Sequence, residues 1–361
     1  MKALVVCNVY SALLVALQVK RYYMPDDQVD IILTDYSNDM DRIAKNLQET
    51  GLFHRVYFAP VKKVYAGGNI FHKIRKTLLV LEREETFLER FGLPNLEYDR
   101  FIFTNYDIPT CQIYLYLSKK GQTKYSRIEE GYSTYTNEND FTILDKIMTV
   151  ICALKGIPKL RDVTREIYLY EPTLMQVHCP YEKKKLPKYS KDSKEDKELL
   201  NRVFGYDNEA DEFEKYKIII FEESFVQDKM DPINDYEVFN EMIEAIGPEN
   251  FILKTHPRND ILRFTNIAVN KSRMPWEIIQ INGNFEDKIF LTVSSAAALA
   301  SKLWFDDRVK TIFLYDCVNR HPHMVDKNYL NYFKTINEMK HPEDWIVPQS
   351  VEEAIREMEN L

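Results

Sequence analysis

The sequence predicts an α/β protein made of two Rossmann-like domains facing each other across a cleft. Three observations predict it. Short β-rich runs alternate with helical stretches from the first residues onward, the alternation breaks once at a charged segment, and it then restarts in the same form. At 361 residues the chain is two domains long on about 100–200 residues per domain, and its 45% apolar content can fill two cores.

The elements follow in order. Ala3–Cys7 reads as a buried strand, followed by a loop and a helix from Ser11. The apolar run over 3–19 is short for a bilayer and is interrupted by Asn8, Tyr10, Ser11 and Gln18, so it is not read as an export signal. Strand signals recur at 29–35, 54–60 and 98–106, and a further strand runs into Glu129. Between them lie helices at 39–51, ending on Gly51, at 72–92 with an amphipathic pattern, and near 109–119. Residues 181–198 carry seven lysines interleaved with acids and read as a connection, either a solvated linker or a contact for an anionic membrane surface. Strands then return at 215–224, 250–257, 288–295 and 310–316, with helical segments at 235–247, 274–283 and 296–304. Ser350 and Glu353 form a capping-box signature for a terminal helix. The expected domains are therefore 1–180, a charged linker region over 181–214, a second domain over 215–345 and a C-terminal helix over 346–361.

Composition removes some functions. A net charge of −8 argues against a general nucleic-acid binder, whose domains usually have a pI above about 9. Five scattered cysteines without CxxC spacing point to reduced thiols in the cytoplasm, with no disulfide framework or zinc site. The 23 tyrosines and 20 phenylalanines suit a carbohydrate-lined surface and equally an aromatic core.

In doubly wound sheets, ligands bind at the carboxyl ends of the strands, so unusual residues there carry the functional reading. Glu129, Glu130 and Gly131 follow one strand. The pair is either a solvated turn or a general base with a neighbouring carboxylate that raises its pKa. His256 follows a buried strand and precedes Pro257, which holds the chain extended. It is either a loop histidine or a proton donor to a departing phosphate. His321-Pro322 and His341-Pro342 repeat the dipeptide in less favourable places, His321 being the second choice. Glu277 either decorates a helix start or binds a ribose diol. Ser294 and Ser295, before a run of small residues, are either N-caps or an anion site with free backbone N–H groups. Asp39-Met40-Asp41 spells a DxD, yet it opens a helix, where Asp caps; His321 and His323 offer two metal ligands without a third.

Together, EEG at 129–131, HP at 256–257 and SS at 294–295 resemble, in that order, the signature of the bacterial GT-B sialyltransferases. The resemblance is especially to glycosyltransferase family 52, the lipooligosaccharide sialyltransferases, and to the related capsular polysialyltransferases. The stretches FILKTHPR, MPWEIIQING and IFLTVSSAAALA, within 251–300, are similar to that family's donor-binding half. The opening VVCNVYSALLVALQV resembles its first strand, loop and helix, departing at NVYSAL, where relatives often carry a Thr-x-Leu-Gln-like sequence.

The resemblance implies a GT-B fold with an acceptor-binding N-terminal domain and a CMP-sugar-binding C-terminal domain. It implies inverting, metal-independent transfer of sialic acid from CMP-sialic acid to a hydroxyl of a surface glycan, a terminal galactose of lipooligosaccharide or capsule. No cofactor is expected. Glu129 takes the base role, with Glu130 in reserve, and His256 stabilises the leaving phosphate; Gly131, Pro257, Glu277, Ser294 and Ser295 complete the donor-binding set. The expected location is cytoplasmic, with peripheral contact at the inner membrane face. Alternatives are another CMP-linked acid sugar, a UDP- or GDP-sugar, and a glycan-binding protein without catalysis. The acceptor linkage, mono- against polysialylation and oligomeric state are not encoded in these motifs.

Overall fold

The computed structural model describes residues 1–65, 75–76, 78–121, 123–137, 143–225, 233–259, 261–305, 307–319, 327–339 and 341–359. The chain divides into two compact units, Met1–Pro187 and Lys188–Leu361.

The first unit holds a parallel sheet of seven strands: β1 (Lys2–Cys7), β2 (Gln28–Thr34), β3 (Arg55–Ala59), β4 (Arg100–Phe103), β5 (Lys124–Ile128), β6 (Thr164–Leu169) and β7 (Glu182–Lys185). Their order is β3-β2-β1-β4-β5-β6-β7. The second unit holds six: β8 (Ile218–Phe221), β9 (Phe251–Lys254), β10 (Ala268–Asn270), β11 (Ile289–Thr292), β12 (Lys310–Phe313) and β13 (Trp345–Ile346), in the order β10-β9-β8-β11-β12-β13. Both follow the 3-2-1-4-5-6 winding of a Rossmann sheet, so the order in which strands are laid across the sheet reverses between β1 and β4 and again between β8 and β11. Such parallel strands are covered on both faces, which explains their unbroken apolar runs, as in Ile218–Phe221.

The helix Tyr10–Tyr23 is buried from Ala12 through Lys20 and packs on β1, β5 and β6. Its polar members are satisfied inside. Gln18 donates to the Pro187 carbonyl at 3.1 Å, and Lys20 Nζ closes the helix end on the carbonyls of Met24 (2.8 Å) and Pro25 (2.7 Å). In the second unit Trp276 sits edge-on to Phe221 (4.7 Å), Phe213 (5.2 Å) and Phe290 (5.3 Å). That cluster fixes the helix Trp276–Asn282; truncating such a core aromatic to Ala typically costs about 3–5 kcal/mol. At the tail, Ser350 Oγ accepts the Glu353 N–H, while the Glu353 carboxylate accepts the Gln349 N–H at 2.7 Å and so reaches one residue further back than the capping box expects.

Several sequence expectations change. The boundary falls after Pro187, within the region expected as a linker, and regular secondary structure stands on either side of it. Glu182–Lys185 pairs in parallel with β6, and Ser193 caps the helix Lys194–Phe204 by accepting the Asp196 N–H at 3.1 Å. The helix expected over 72–92 lies partly outside the described residues and is broken in the remainder: a 3-10 turn Leu79–Leu81, extended backbone at Glu82 and Arg83, then the helix Glu84–Phe91. Side chains satisfy the backbone at the break, since Gln112 donates to the Leu79 carbonyl and Tyr116 to that of Glu82. The α-helix expected at 296–304 is a 3-10 turn, Ala296–Leu299, running into a π-helical turn, Ser301–Phe305. Among the described residues, no helix is long and apolar enough to cross a membrane.

Candidate active site

In each unit, the carboxyl ends of the strands at the winding reversal carry a polar cluster. In the first unit β1 leads into Asn8, β4 into Asn105 and Asp107, and β5 into Glu129 and Glu130. Asn8 Nδ2 bridges Asn105 Oδ1 (3.1 Å) and Asp107 Oδ2 (2.9 Å), and its own Oδ1 accepts from Thr34 at 3.2 Å. Asn105 Nδ2 in turn donates to both oxygens of Glu130, at 3.3 and 3.2 Å. The Ser11 hydroxyl holds the Glu130 carbonyl at 2.6 Å. Asp107 also caps the helix Ile108–Leu117 through the Thr110 N–H; burial pushes its carboxyl up to about 6, against the pull of that cap.

The two adjacent glutamates occupy different settings. Glu130 is partly exposed, whereas Glu129 is buried, with 2% exposure. One Glu129 oxygen, Oε2, accepts both the Tyr135 hydroxyl (2.5 Å) and the Tyr170 backbone N–H (2.7 Å). Loss of solvent raises Glu129 to about 7; the two hydrogen bonds oppose the rise and Glu171 adds to it. Gly131 turns the chain directly afterwards with φ +130° and ψ −160°, a conformation open essentially to glycine alone. Beside the cluster lies a cavity of about 250 Å³, lined by Asn105, Asp107, Leu144, Met148, Lys159 and Arg161 among others. Asn105 therefore touches both the cavity and Glu130.

In the second unit β9 projects His256. Its Nδ1 accepts the Arg258 backbone N–H at 3.2 Å, so the neutral ring carries its proton on Nε2. The His256 backbone N–H donates to Glu222 Oε2 at 3.1 Å, and Glu222 and Asp235 are both paired with Arg263. Next to it, Glu223 Oε1 accepts the Ser294 N–H (2.6 Å) and the Thr292 hydroxyl (2.7 Å), while Oε2 is buried with no hydrogen-bond partner. Adjacent carboxylates thus tie the His256 loop and the Ser294 loop to the end of β8. Burial pushes Glu223 up to about 7, its two donors pull it down, and Asp235 and Glu222 push further up.

The backbone N–H groups of Ser294 and Ser295 are both taken, so the part of the anion-site expectation that relied on free N–H groups at these two residues does not hold. The Ser294 N–H is taken by Glu223, the Ser295 N–H by Thr292 Oγ1 at 2.9 Å, and the Ser295 hydroxyl caps the Ala297 N–H at 3.4 Å. Glu277 stands one residue beyond Trp276, partly exposed. Burial raises it above the usual carboxylate range and Lys254 holds it back. Lys254, the last residue of β9, is itself lowered to about 8 by burial and donates to the Ser272 carbonyl at 2.5 Å.

Sequence reasoning missed Glu222 and Glu223, although the signal was present: FEE ends β8 as IEE ends β5, an acidic doublet after a buried strand. It also missed Lys254, Asn105 and Asp107. Of the weaker candidates, His321 and His323 lie outside the described residues. His341 has a left-handed backbone and stands near Glu343 and Asp344, whose carboxylates pair with Arg308. Asp39 is also left-handed and makes no side-chain cap.

No family model matches the sequence, and no curated protein matches it. Solved structures do match in fold. The glycotransferase of kitacinnamycin aligns at a TM-score of 0.53 and 9% identity, covering 100% of this chain and 90% of that one. TcCGT1 in complex with UDP aligns at 0.52 and 10% identity, over 99% and 90%. CalG4, the calicheamicin glycosyltransferase, aligns at 0.50 and 9% identity, over 99% and 89%. At these identities the likeness establishes the fold: two parallel-sheet Rossmann-like domains in the GT-B class.

Proposed function

We propose that this protein is an inverting, metal-independent glycosyltransferase that moves sialic acid from CMP-sialic acid to a hydroxyl of a surface glycan, as its resemblance to family 52 implies. One observation carries the reading. The EEG, HP and SS motifs all fall at the carboxyl ends of strands, β5, β9 and β11, on Rossmann sheets of a GT-B chain. Of the three neighbours named above, two are glycosyltransferases by name and the third is a complex with UDP, which supports the reaction class.

The chemistry follows from the side chains. The acceptor hydroxyl is a poor nucleophile, so a carboxylate takes its proton as the C–O bond forms; such catalysis is worth about 10²–10⁴-fold. Glu129, the first acid of the motif, is the assigned base, and burial raises its carboxyl above the ordinary carboxylate value, toward a base's range. The bond from the anomeric carbon to the CMP phosphate breaks, its electron pair stays on phosphate oxygen, and the His256 Nε2–H meets the growing charge. Glu277, with Lys254 beside it, supports the ribose. Gly131, Pro257, Ser294 and Ser295 shape the loops rather than donate charge.

A second assignment rests on exposure. Glu130 is the more accessible of the pair and is aimed by Asn105, which makes it the base if Glu129 only anchors the turn.

Donor identity is tested by thermal unfolding with CMP, UDP and GDP. At 100 times its Kd a ligand adds about 2.7 kcal/mol of stability. CMP protects and the other two do much less if the reading holds; preferential protection by UDP redirects it to a UDP-sugar.

A further inference from the structure

The helix Ile143–Lys155 carries more apolar surface than its own unit covers. Its inward side places Met148, Ile151 and Cys152 in the core. A second line of aliphatic side chains, Ile143, Val150 and Leu154, recurs at steps of seven and four residues and so runs along a single stripe. These three are 74%, 59% and 83% exposed, and Ile147 on the same stripe is half-buried. Single exposed aliphatics are ordinary, but a continuous stripe over three turns marks a contact surface. Lys146 and Lys155 on the helix are exposed, and Lys159 follows it. The acid of the first turn, Asp145, is committed to Arg161 at 2.9 Å.

We propose that this helix docks the protein on an anionic membrane surface, lying in the plane of the interface with Ile143, Val150 and Leu154 among the acyl chains and Lys146 and Lys155 at the lipid phosphates. Among the described residues of this helix the stripe is aliphatic, and Lys146 and Lys155 lie beside it while Asp145 is held by Arg161. Protein interfaces are depleted in lysine, whereas an apolar stripe with lysines beside it suits an anionic lipid surface. Three of the seven lysines first considered for this role are otherwise engaged: Lys185 with Glu171 (3.3 Å), Lys188 with the Lys302 carbonyl (2.5 Å) and Lys191 with Asp307 (2.7 Å). Two turns of the same helix also bear on the cavity beside Asn105, through Leu144, Met148 and Cys152. A lipid-linked molecule held at the bilayer is thereby presented to that cavity. Because the whole chain is at −8, attraction is local to this face and is screened by salt.

The test is co-sedimentation of the full chain with vesicles of phosphatidylcholine alone or with one quarter phosphatidylglycerol. Wild type binds the anionic vesicles, binds the neutral ones less, and is released by 0.5 M salt on the order of a Debye length near 4 Å. The Ile143→Ser/Val150→Ser/Leu154→Ser variant loses about tenfold or more in partitioning with an unchanged thermal midpoint. Leu154→Trp gives an independent readout, a blue-shifted emission relative to wild type when anionic vesicles are added. Failure of wild type to bind vesicles, equal binding by the triple variant, or a wild-type dimer that the triple variant dissociates each overturns the proposal. None of these readouts requires donor or acceptor, so the result stands apart from the transferase reading.

Discussion

Glu223 accepts the Ser294 backbone N–H at 2.6 Å through Oε1, while its second oxygen lies buried without a partner. A carboxylate therefore braces the loop that the sequence presents as an anion site. Neutralising that carboxylate removes a buried charge and keeps the brace.

Burial raises Glu223 to about 7 from an ordinary 4.5. Between those values the folded chain keeps a proton that the unfolded chain has lost, so this contribution is fully present below about 4.5 and is lost as pH rises through about 7. Glu223→Gln cannot ionise and keeps the shape. Relative to wild type it gains up to about 3 kcal/mol on going from pH 5 to pH 8. Denaturant unfolding at the two pH values checks this; parallel profiles contradict it.

Glu129→Gln retains an acceptor for Tyr135 and the Tyr170 N–H and removes the base. Acceptor-dependent turnover falls about 10²–10⁴-fold while CMP affinity is kept. Glu130→Gln costs much less, because its hydrogen bonds to Asn105 can be remade. Steady-state kinetics with CMP titration separates the two, and the reverse ranking assigns the base to Glu130.

His256→Asn keeps a side-chain acceptor for the Arg258 N–H and loses the Nε2 proton. The turnover number drops about 10²–10³-fold with the donor KM changed by less than about threefold, the mark of an interaction made in the transition state. A rise in KM alone makes His256 a ground-state binding residue.

Gly131→Ala meets no atom within 4 Å of the new Cβ, so its cost is conformational. At φ +130° that cost is about 1–3 kcal/mol of stability, measured by chemical denaturation. A neutral substitution shows that the turn relaxes.

The elements legible in the sequence were those whose burial is simplest. Ile218–Phe221 and Phe251–Lys254 read as strands because every residue is buried, and Gly51 ended its helix because the C-cap needs a left-handed backbone. β7 escaped because an edge strand of charged residues has no apolar pattern, and edges are protected by lysine. β10 and β13, at three and two residues, are too short for periodicity. The site was legible where a motif ended a strand. Asn105 and Asp107 were missed because their role comes from Asn8 and Glu130, which follow β1 and β5 and are distant in sequence.

The most direct measurement is CMP release from CMP-sialic acid, with and without a galactose-terminated acceptor, in EDTA, for wild type, Glu129→Gln and His256→Asn. The account predicts acceptor-stimulated release that survives EDTA and collapses in both variants. Wild-type protein that binds CMP and releases none with any acceptor, or activity that EDTA abolishes, contradicts it.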